Sequence, residues 1–477
     1  MASKLIQIRS FDAENSLEVS LREAFQHLEP RLRPPFPLTI PTQEEYINLN
    51  KAILYGILCE PHLAKIHIKH LHAIITDGYC YFTSLVIEVV NELYGKLFDS
   101  VKAQLIWVTH EMVNVLAMGF DGLLVALLRQ IIGGDFSDGN LWLCFEMVSI
   151  FSSKRDFFVE EDEPRVLTSA LYVFLRLLAD HCRMRNDAKI EALKRMEIDF
   201  CVRMLREKFG LCFQVGRDLV RLLQDLVHVP EFRAIWKDLL LNPSAFQTSC
   251  FIDISQLYLS RTSSRYFLLR ITPEMENQLR FLLTRVKLGS QMRYQVWFGK
   301  KFLGVPERET LKIDIVRFIC CAHHPSNDVI QSDIIPRWAV IGWLLKSCQR
   351  KVVEANVKLA LFYDWLFFNE KVDNIMNIEP AMLLMVHSIP KYVDVTHTLL
   401  EFLLILVENY DIERKDLIVK GVSSAFVLLV RKGVVQSLDA LICFDMLSPL
   451  HKQLFERMFT DMLPSLSKRN IVSLPSK

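Results

Sequence analysis

Glycine and proline are scarce in this chain of 477 residues, with 16 and 18 copies respectively. Strand-rich proteins and large α/β enzymes use glycine in turns and phosphate-binding loops, so this scarcity argues against both classes. Hydrophobic residues make up 51% of the chain and charged residues 23%. A chain rich in core-forming residues and poor in turn-forming residues is predicted to be all-α.

A large net charge and long apolar runs are also missing. The net charge is +1 at pH 7, so no global basic field attracts nucleic acid or an anionic membrane. No apolar run approaches the roughly 20 residues that span a bilayer. The most apolar stretch, residues 108–132, is interrupted by charged residues such as Glu111, Asp121 and Arg129. The N-terminus has no apolar signal-peptide region, and we expect an intracellular protein that contacts no membrane.

The 11 cysteines form no CxxC pair and no evenly spaced framework. Most fall within apolar helical patterns, which is typical of buried free thiols in a reducing compartment. The densest group of potential ligands is ICCAHHPSND, residues 319–328. On a helix Cys320 and His324 lie four residues apart, a spacing that would let both reach one zinc ion.

Three interpretations of residues 319–328 remain: a metal site, a Cys/His nucleophile, and a helix end without chemistry. A structural zinc needs two further ligands, and no second Cys/His pair with finger-like spacing exists in the sequence. Pro325 ends the helix, and the polar residues after it are typical of the cap of the next helix. We therefore predict a helix end here, and for the chain as a whole no enzyme activity, no catalytic residue, no metal and no cofactor.

Amphipathic segments follow one another from Glu44 onward, as in RDLVRLLQDLVH at residues 217–228. The pattern predicts about twenty helices. Many neighbouring segments are expected to form antiparallel pairs, for example 163–184 with 188–208. Such a series predicts an all-α, HEAT/armadillo-like helical-repeat solenoid of two lobes. Thr272-Pro273 is a predicted helix start, because a capping oxygen is followed by proline in the first helical position.

The segmentation follows from proline and serine/threonine clusters. Four prolines in RPPFPLTIP end a weakly patterned lead, and serine and threonine cluster in 241–271, where helical periodicity weakens. The predicted divisions are a weakly structured lead at 1–43, an N-terminal lobe at 44–245, a C-terminal lobe at 246–465 and a disordered tail at 466–477.

Two segments concentrate aromatic residues. KLALFYDWLFF, residues 358–368, has aromatic residues on every side of one helix, which predicts a central core helix or one that lends a face to a partner. RVKLGSQMRYQVWFGKKF, residues 285–302, interleaves five cations with aromatic residues. Such a mixture can bind single-stranded nucleic acid through phosphate contacts and base stacking. Helical spacing favours aromatic residues in the core and solvated cations, with contact to a protein partner as a third interpretation.

Several long motifs along the chain are distinctive. They are QLIWVTHEMV (104–113), RDLVRLLQDL (217–226), VPEFRAIWKDLLLNP (229–243), the segment from SRTSSRYF to YQVWF (260–298), HPSNDVIQSDIIPRWAVIGWLL (324–345), KLALFYDWLFF (358–368) and IMNIEPAMLLM (375–385). Together they resemble the N-terminal region of the Integrator complex subunit 3 family. The resemblance covers residues 45–460, and it contains no catalytic motif.

The resemblance implies a nuclear helical-repeat scaffold, with the cytoplasm as a second location. Proteins of this family belong to the Integrator complex, which processes small nuclear RNA. They also form the core of SOSS, a sensor of single-stranded DNA in homologous-recombination repair and the DNA damage response. Members are usually much longer, with a C-terminal half that is linked to other Integrator subunits.

The implied partners are an OB-fold single-stranded-DNA-binding protein, a small helical third SOSS subunit and other Integrator subunits. Single-stranded DNA would be bound indirectly, through the OB-fold partner. We expect this partner to contact Arg293, Tyr294, Trp297, Arg337 and Trp338. The alternative function is a helical-repeat protein that binds single-stranded nucleic acid directly through residues 285–302.

Overall fold

The structure is a computed structural model, and it describes residues 5–7, 14–36, 41–155, 158, 164–184, 187–248, 251–442 and 448–459. Within these residues the regular elements are helices, and the strand-like pairings are two isolated bridges, Ile6 with Leu97 and Lys287 with Ile334. The all-α, helical-repeat class predicted from the sequence is confirmed. None of the described helices is both long and apolar enough to cross a membrane.

Contacts divide the chain into two compact units. The first comprises residues 1–204 with 271–276, and the second comprises 205–270 with 277–477. The helices of the first unit are α1 (Ser16–Leu28), α2 (Gln43–Cys59), α3 (Ala64–Ile74), α4 (Cys80–Leu93), α5 (Asp99–Asn114), α6 (Phe120–Leu128), α7 (Asp138–Ser153), α8 (Pro164–His181) and most of α9 (Ala188–Glu207).

The second unit begins in the last turn of α9. Its helices are α10 (Phe209–Cys212), α11 (Asp218–Asp225), α12 (Pro230–Leu241), α13 (Ile254–Leu259), α14 (Ser264–Leu268), most of α15 (Pro273–Arg285), α16 (Met292–Phe302), α17 (Leu311–Cys321), α18 (Asn327–Ile330), α19 (Arg337–Lys346), α20 (Lys351–Leu366), α21 (Ile375–Ser388), α22 (Val393–Asn409), α23 (Lys415–Arg431), α24 (Asp439–Ile442) and α25 (Pro449–Phe459).

The lead predicted at 1–43 contains a full helix, α1. Asn15 caps it, since its side-chain oxygen accepts hydrogen bonds from the backbone N–H groups of Leu17 and Glu18 at 2.9 and 3.1 Å. Leu21, Phe25 and Leu28 recur at helical spacing and are buried. This pattern is local, precedes the prolines of residues 34–41, and could have been predicted from the sequence. The tail predicted at 466–477 lies outside the described residues.

The division between the units differs from the predicted lobe boundary at 245/246. The structure divides the chain between Met204 and Leu205. The stretch 241–271, in which the boundary was predicted, contains buried aromatic rings: those of Phe246 and Phe251 lie 4.2 and 4.8 Å from the ring of Phe209. Serine and threonine content did not reveal these contacts, because a few inward-packed rings are enough to bury a stretch that is otherwise rich in polar residues.

Two helix starts in the structure show side-chain capping of the expected kind. At α2, the side chain of Thr42 accepts the Glu45 N–H and the Glu45 carboxylate accepts the Thr42 N–H, which forms a capping box. The start of α15 is as predicted, with Pro273 in the first position and the Thr272 hydroxyl accepting the Met275 N–H at 3.2 Å. Capping of this kind typically stabilises a helix by about 1 kcal/mol.

Helix α20 is central to the second unit, as KLALFYDWLFF predicted. Its five aromatic side chains are all buried, and they are Phe362, Tyr363, Trp365 and, just beyond its end, Phe367 and Phe368. Helix α23 approaches this element closely. A Cβ atom at Gly421 would lie 2.5 Å from the Leu366 carbonyl oxygen, so a larger residue does not fit.

A buried cluster of ion pairs, here called the arginine–aspartate network, joins α11, α17, α20 and the turn after α20. Arg217 contacts Asp364 at 3.3 Å and Asp373 at 3.0 Å. Arg317 contacts Asp218 at 3.0 Å and Asp364 at 2.9 Å. Burial raises the pKa of Asp364, but the charges of Arg317 and Arg217 outweigh that effect and lower it to about 2.

Gly216 places Arg217 in this network. Its φ of +79° lies in the region that favours glycine. A Cβ atom here would lie 2.8 Å from the carbonyl oxygens of Ser260 and Arg261. The same close approach lets the Arg217 N–H donate to the Ser260 carbonyl oxygen at 2.8 Å. The backbone is therefore fixed immediately before the buried guanidinium.

Candidate protein-docking site

The Cys/His cluster of residues 319–328 is a helix end in the structure. α17 ends at Cys321, and both cysteines are buried. The thiol of Cys321 donates to the Asp364 carboxylate at 3.0 Å. The ring Nε2 of His324 lies 3.2 Å from the Cys320 carbonyl oxygen and 3.1 Å from the amide oxygen of Asn377. The contacts of Cys321 with Asp364 and of His324 with Asn377 tie the end of α17 to α20 and α21.

The chemistry of these thiols also argues for packing. Burial raises the pKa of Cys320 to about 12 and holds the pKa of Cys321 well above its ordinary value. The thiolate is the nucleophile and the metal ligand, and a thiol with so high a pKa remains protonated at neutral pH. Among the described residues there is no group of three or more His, Cys, Asp or Glu side chains arranged to hold a metal ion.

A two-helix surface formed by α15 and α16 contains three of the predicted partner-binding residues. The link between the helices is held by backbone pairing: the Leu288 N–H donates to the Asp333 carbonyl oxygen, and the Ile335 N–H to that of Val286. The Tyr294 hydroxyl lies within hydrogen-bonding distance of the Gln278 carbonyl and side-chain oxygens, at 2.8 and 2.6 Å. The Tyr294 hydroxyl thus links α16 to α15, and the backbone pairs hold the link between them against residues 333–335.

The outer side of α16 is apolar and exposed. The exposed fractions are 74% for Met292, 53% for Val296 and 41% for Trp297, and 49% for Phe281 on α15. We call this surface the α16 face and include its exposed cations. Its members are Phe281, Met292, Arg293, Val296, Trp297, Lys300 and Lys301.

Helical periodicity explains which residues of α16 reach the surface. Gln295, Phe298 and Phe302 lie on the buried side, and the Phe298 ring lies 6.2 Å from that of Trp343 on α19. The outward rows start at Met292 and Arg293 and recur every four residues. A row of exposed aliphatic and aromatic side chains on a helix whose opposite side is buried is typical of a protein-binding surface.

The α16 face is also positively charged. Residues 277–306 contain six Lys and Arg residues and no Asp or Glu. Two of the six are used internally, since Lys287 pairs with Asp333 at 2.7 Å and Arg280 lies 5.5 Å from the Phe318 ring. Arg293 and Lys300 are exposed and form no ion pair with any residue that the structure describes.

Arg337, predicted to contact the partner, is 5% exposed. Its guanidinium donates to the carbonyl oxygens of Ile319 and His323 at 3.1 and 3.2 Å and to the Glu379 carboxylate at 2.5 Å. These contacts join the end of α17 to α19 and α21. Arg337 thus holds helices together, and its charge is not presented at the surface beside Arg293.

Trp338 lies at the start of α19, apart from the α16 face. Its ring stacks on that of His387, with 4.9 Å between centroids. The two rings border an open cavity of about 230 Å³. Other lining residues are Leu283, Val329, Ile330, Ile334, Leu383 and Glu379. The structure therefore divides the five predicted residues into a group on α16 and a group beside this cavity.

The sequence reasoning missed three residues of the α16 face: Phe281, Met292 and Val296. A signal was present, because Met292 and Val296 are four residues apart and flank the predicted Arg293 and Trp297. Phe281 precedes them on another helix, and only the hairpin geometry brings its ring within 5.6 Å of Tyr294.

Comparison with known proteins matches residues 44–457 to the model of the Integrator complex subunit 3 N-terminal family. The chain belongs to the Integrator complex subunit 3 family. It is 40% identical to Integrator complex subunit 3 of Mus musculus over 401 residues, which are 84% of this chain and 38% of the mouse protein. The family resemblance seen in the sequence is thereby confirmed.

The similarity extends to distant organisms. Integrator complex subunit 3 of Homo sapiens is 40% identical over 386 residues, 81% of this chain and 36% of the human protein. The homolog of Dictyostelium discoideum is 40% identical over 417 residues, 87% of this chain and 27% of that protein. The chain thus spans well under half the length of these relatives. Both α16 and the arginine–aspartate network lie within residues 44–457, which match the family model.

Proposed function

We propose that this chain is a non-enzymatic scaffold of the Integrator complex and of the SOSS single-stranded-DNA sensor. In this role it binds an OB-fold single-stranded-DNA-binding protein, a small helical subunit and other Integrator subunits. It would act in the nucleus, in homologous-recombination repair, the DNA damage response and small nuclear RNA processing. Membership of the Integrator complex subunit 3 family supports the Integrator role most directly.

The observation that carries the binding proposal is the α16 face. Met292, Val296 and Trp297 expose apolar surface on a helix whose opposite side is packed by Phe298 and Phe302. Aromatic and methionine side chains are enriched at protein interfaces, and tryptophan is a frequent source of binding energy. The α16 face, which includes Arg293 and Trp297, is therefore the proposed binding site for the OB-fold partner, and the half-buried Tyr294 lies beside it on the same helix.

Arg337 and Trp338 have different parts in this proposal. Arg337 is a positioning residue, because its three internal acceptors hold α19 against α17 and α21. Trp338 borders the neighbouring cavity and offers a second, smaller contact. In the proposed mechanism DNA binds to the OB-fold partner, whose DNA-binding side stays free. A chain with a net charge of +1 adds little phosphate affinity of its own.

The binding proposal is tested by calorimetry of the chain with the OB-fold single-stranded-DNA-binding protein of the same organism. We expect a one-to-one complex, and at least about tenfold weaker binding for the double variant V296A/W297A, since interface tryptophans often contribute over 2 kcal/mol. The control is V352A, at an exposed valine on α20, which should bind like the unmodified chain. Absence of any complex with the unmodified chain would contradict the proposal.

The alternative, direct binding of single-stranded nucleic acid, is favoured by one observation. The rings of Phe281, Tyr294 and Trp297 follow one another at 5.6 and 5.3 Å, beside Arg293 and Lys301. Titration of the chain with a labelled oligonucleotide tests it. Micromolar affinity that falls steeply with salt, and is lost in R293E/K300E/K301E, would establish this function.

A further inference from the structure

Most of α15, the link after it and α16 carry charged residues of one sign only, although the whole chain is almost neutral. Residues 277–306 carry six cations without a single carboxylate, whereas the chain has 56 Lys and Arg against 55 Asp and Glu. Several cations elsewhere in the second unit are paired with carboxylates. Arg414, for example, contacts Asp253 at 2.7 Å and Asp411 at 3.3 Å. Unlike Arg414, Arg293 and Lys300 on the α16 face form no ion pair with any residue that the structure describes.

The exposed cations are placed at the two ends of the apolar surface. Arg293 is at the first turn of α16 and Lys300 at the last. Seven residues separate them, which is about 10 Å along a helix at a rise of 1.5 Å per residue. Val296 and Trp297 lie between the two charges on the same outward side. The surface is therefore an apolar centre with a positive charge at each end.

We propose that the α16 face binds an acidic amphipathic segment of the partner, with carboxylates about two helical turns apart and large apolar side chains between them. The apolar side chains cover Met292, Val296 and Trp297, and the carboxylates pair with Arg293 and Lys300. Lys301, which lies 5.3 Å from the Trp297 ring, adds a further positive charge at the second end. This inference rests on the proposed function and specifies the chemistry of the segment that the scaffold holds.

Three features favour a protein segment over a nucleic acid strand. The most exposed side chains, Met292 and Val296, are aliphatic and offer no flat ring for base stacking. The hydroxyl of Tyr294 is bound to Gln278, so this ring is held toward α15. The rings of Phe281 and Trp297 are inclined to that of Tyr294 by 35° and 49° and do not form a parallel platform.

Charge reversal tests the pairing. In R293E/K300E two attractive contacts become repulsive, so we expect the affinity for the OB-fold partner to fall at least about tenfold. The matched control is K65E/K69E, which reverses two exposed lysines four residues apart on α3 and changes the net charge equally. Its affinity should stay within about twofold of the unmodified chain. Both variants should unfold at the same temperature as the unmodified chain.

A second probe does not depend on the identity of the partner. A helical peptide of about 18 residues, with glutamates seven residues apart and leucines between them, should bind the chain and shift Trp297 emission to shorter wavelength. The shift should be absent in W297F. A peptide with lysine in place of each glutamate should bind the unmodified chain poorly, and R293E/K300E should reverse this preference.

The outcomes separate this inference from the proposed function. Equal binding of the OB-fold protein to R293E/K300E and to the unmodified chain overturns the inference and leaves the scaffold function intact. Failure of the OB-fold protein to bind, with selective binding of the acidic peptide, contradicts the proposed partner and supports the acidic docking site. If neither ligand binds, or if an oligonucleotide alone binds through Arg293 and Lys300, the inference is wrong.

Discussion

Arginine and aromatic residues occur together in two regions of the second unit, with opposite consequences. In the arginine–aspartate network, Arg317 lies 4.7 Å from the Phe267 ring and pairs with Asp218 and Asp364. On the α16 face, Arg293 is exposed beside aromatic rings and forms no ion pair with any described residue. Where distant segments supply aspartates the cation is buried, and where they supply none it stays in water.

The largest expected effect comes from removing a carboxylate of the network. D364A leaves Arg217 and Arg317 each with one ion-pair partner fewer in a buried site. Breaking a buried pair on one side costs about 3–5 kcal/mol, and we expect the upper end because two cations are affected. Equilibrium unfolding in urea measures the loss.

The matched control for D364A is D328A, at an exposed aspartate after α17. This variant should change the free energy of unfolding by less than about 0.5 kcal/mol, as surface substitutions usually do. A loss of under 1 kcal/mol in D364A would mean that the network contributes little to the free energy of unfolding. The arginines of the network and Arg293 on the α16 face would then differ only in their exposure to solvent.

Two adjacent residues on α16 sharpen the comparison. Phe298 is buried and Trp297 is 41% exposed. F298A should cost about 3 kcal/mol of unfolding free energy through lost burial and a cavity, whereas W297A should cost under about 1 kcal/mol. The affinity for the OB-fold partner should instead fall more in W297A than in F298A, provided that both variants remain folded. Equal stability losses in the two variants would contradict the division of α16 into a packed side and a docking side.

Acid pH should weaken the network by a smaller amount. The pKa of Asp364 is about 2 in the folded chain and 3.8 ordinarily, so the unfolded state binds more protons between these values. The contribution of this group is present above about pH 4 and is lost as pH falls toward 2, about 2 kcal/mol in all. Unfolding free energy measured from pH 5 to pH 2 should therefore fall less steeply in D364N. Identical slopes in the two chains would count against a lowered pKa.

Much of the local structure was predictable from the sequence. Thr272-Pro273 starts α15, Pro325 follows the end of α17, and KLALFYDWLFF is buried on all sides. These features depend on residues within one or two turns of each other, for which periodicity and capping rules apply. The same rules apply to α1, where Leu21 and Phe25 carry the pattern.

The arrangement of the candidate docking residues was predictable in part. Arg293, Tyr294 and Trp297 do lie together on α16, while Arg337 is enclosed by Ile319, His323 and Glu379. Whether an arginine beside a tryptophan is enclosed depends on carbonyls and carboxylates from other helices. A single sequence does not show which of these will be near.

The sequence by itself therefore determined the helical class, the start of α15, the end of α17 and the segment 285–302 in which the exposed side chains of α16 lie. The tertiary structure alone decided that the units divide at Met204 and Leu205, and that Arg217 meets Asp364, 147 residues away. The physical reason is the range of the forces involved. Helix formation is governed by neighbours along the chain, whereas burial of a charge is favourable only when packing brings an opposite charge to it.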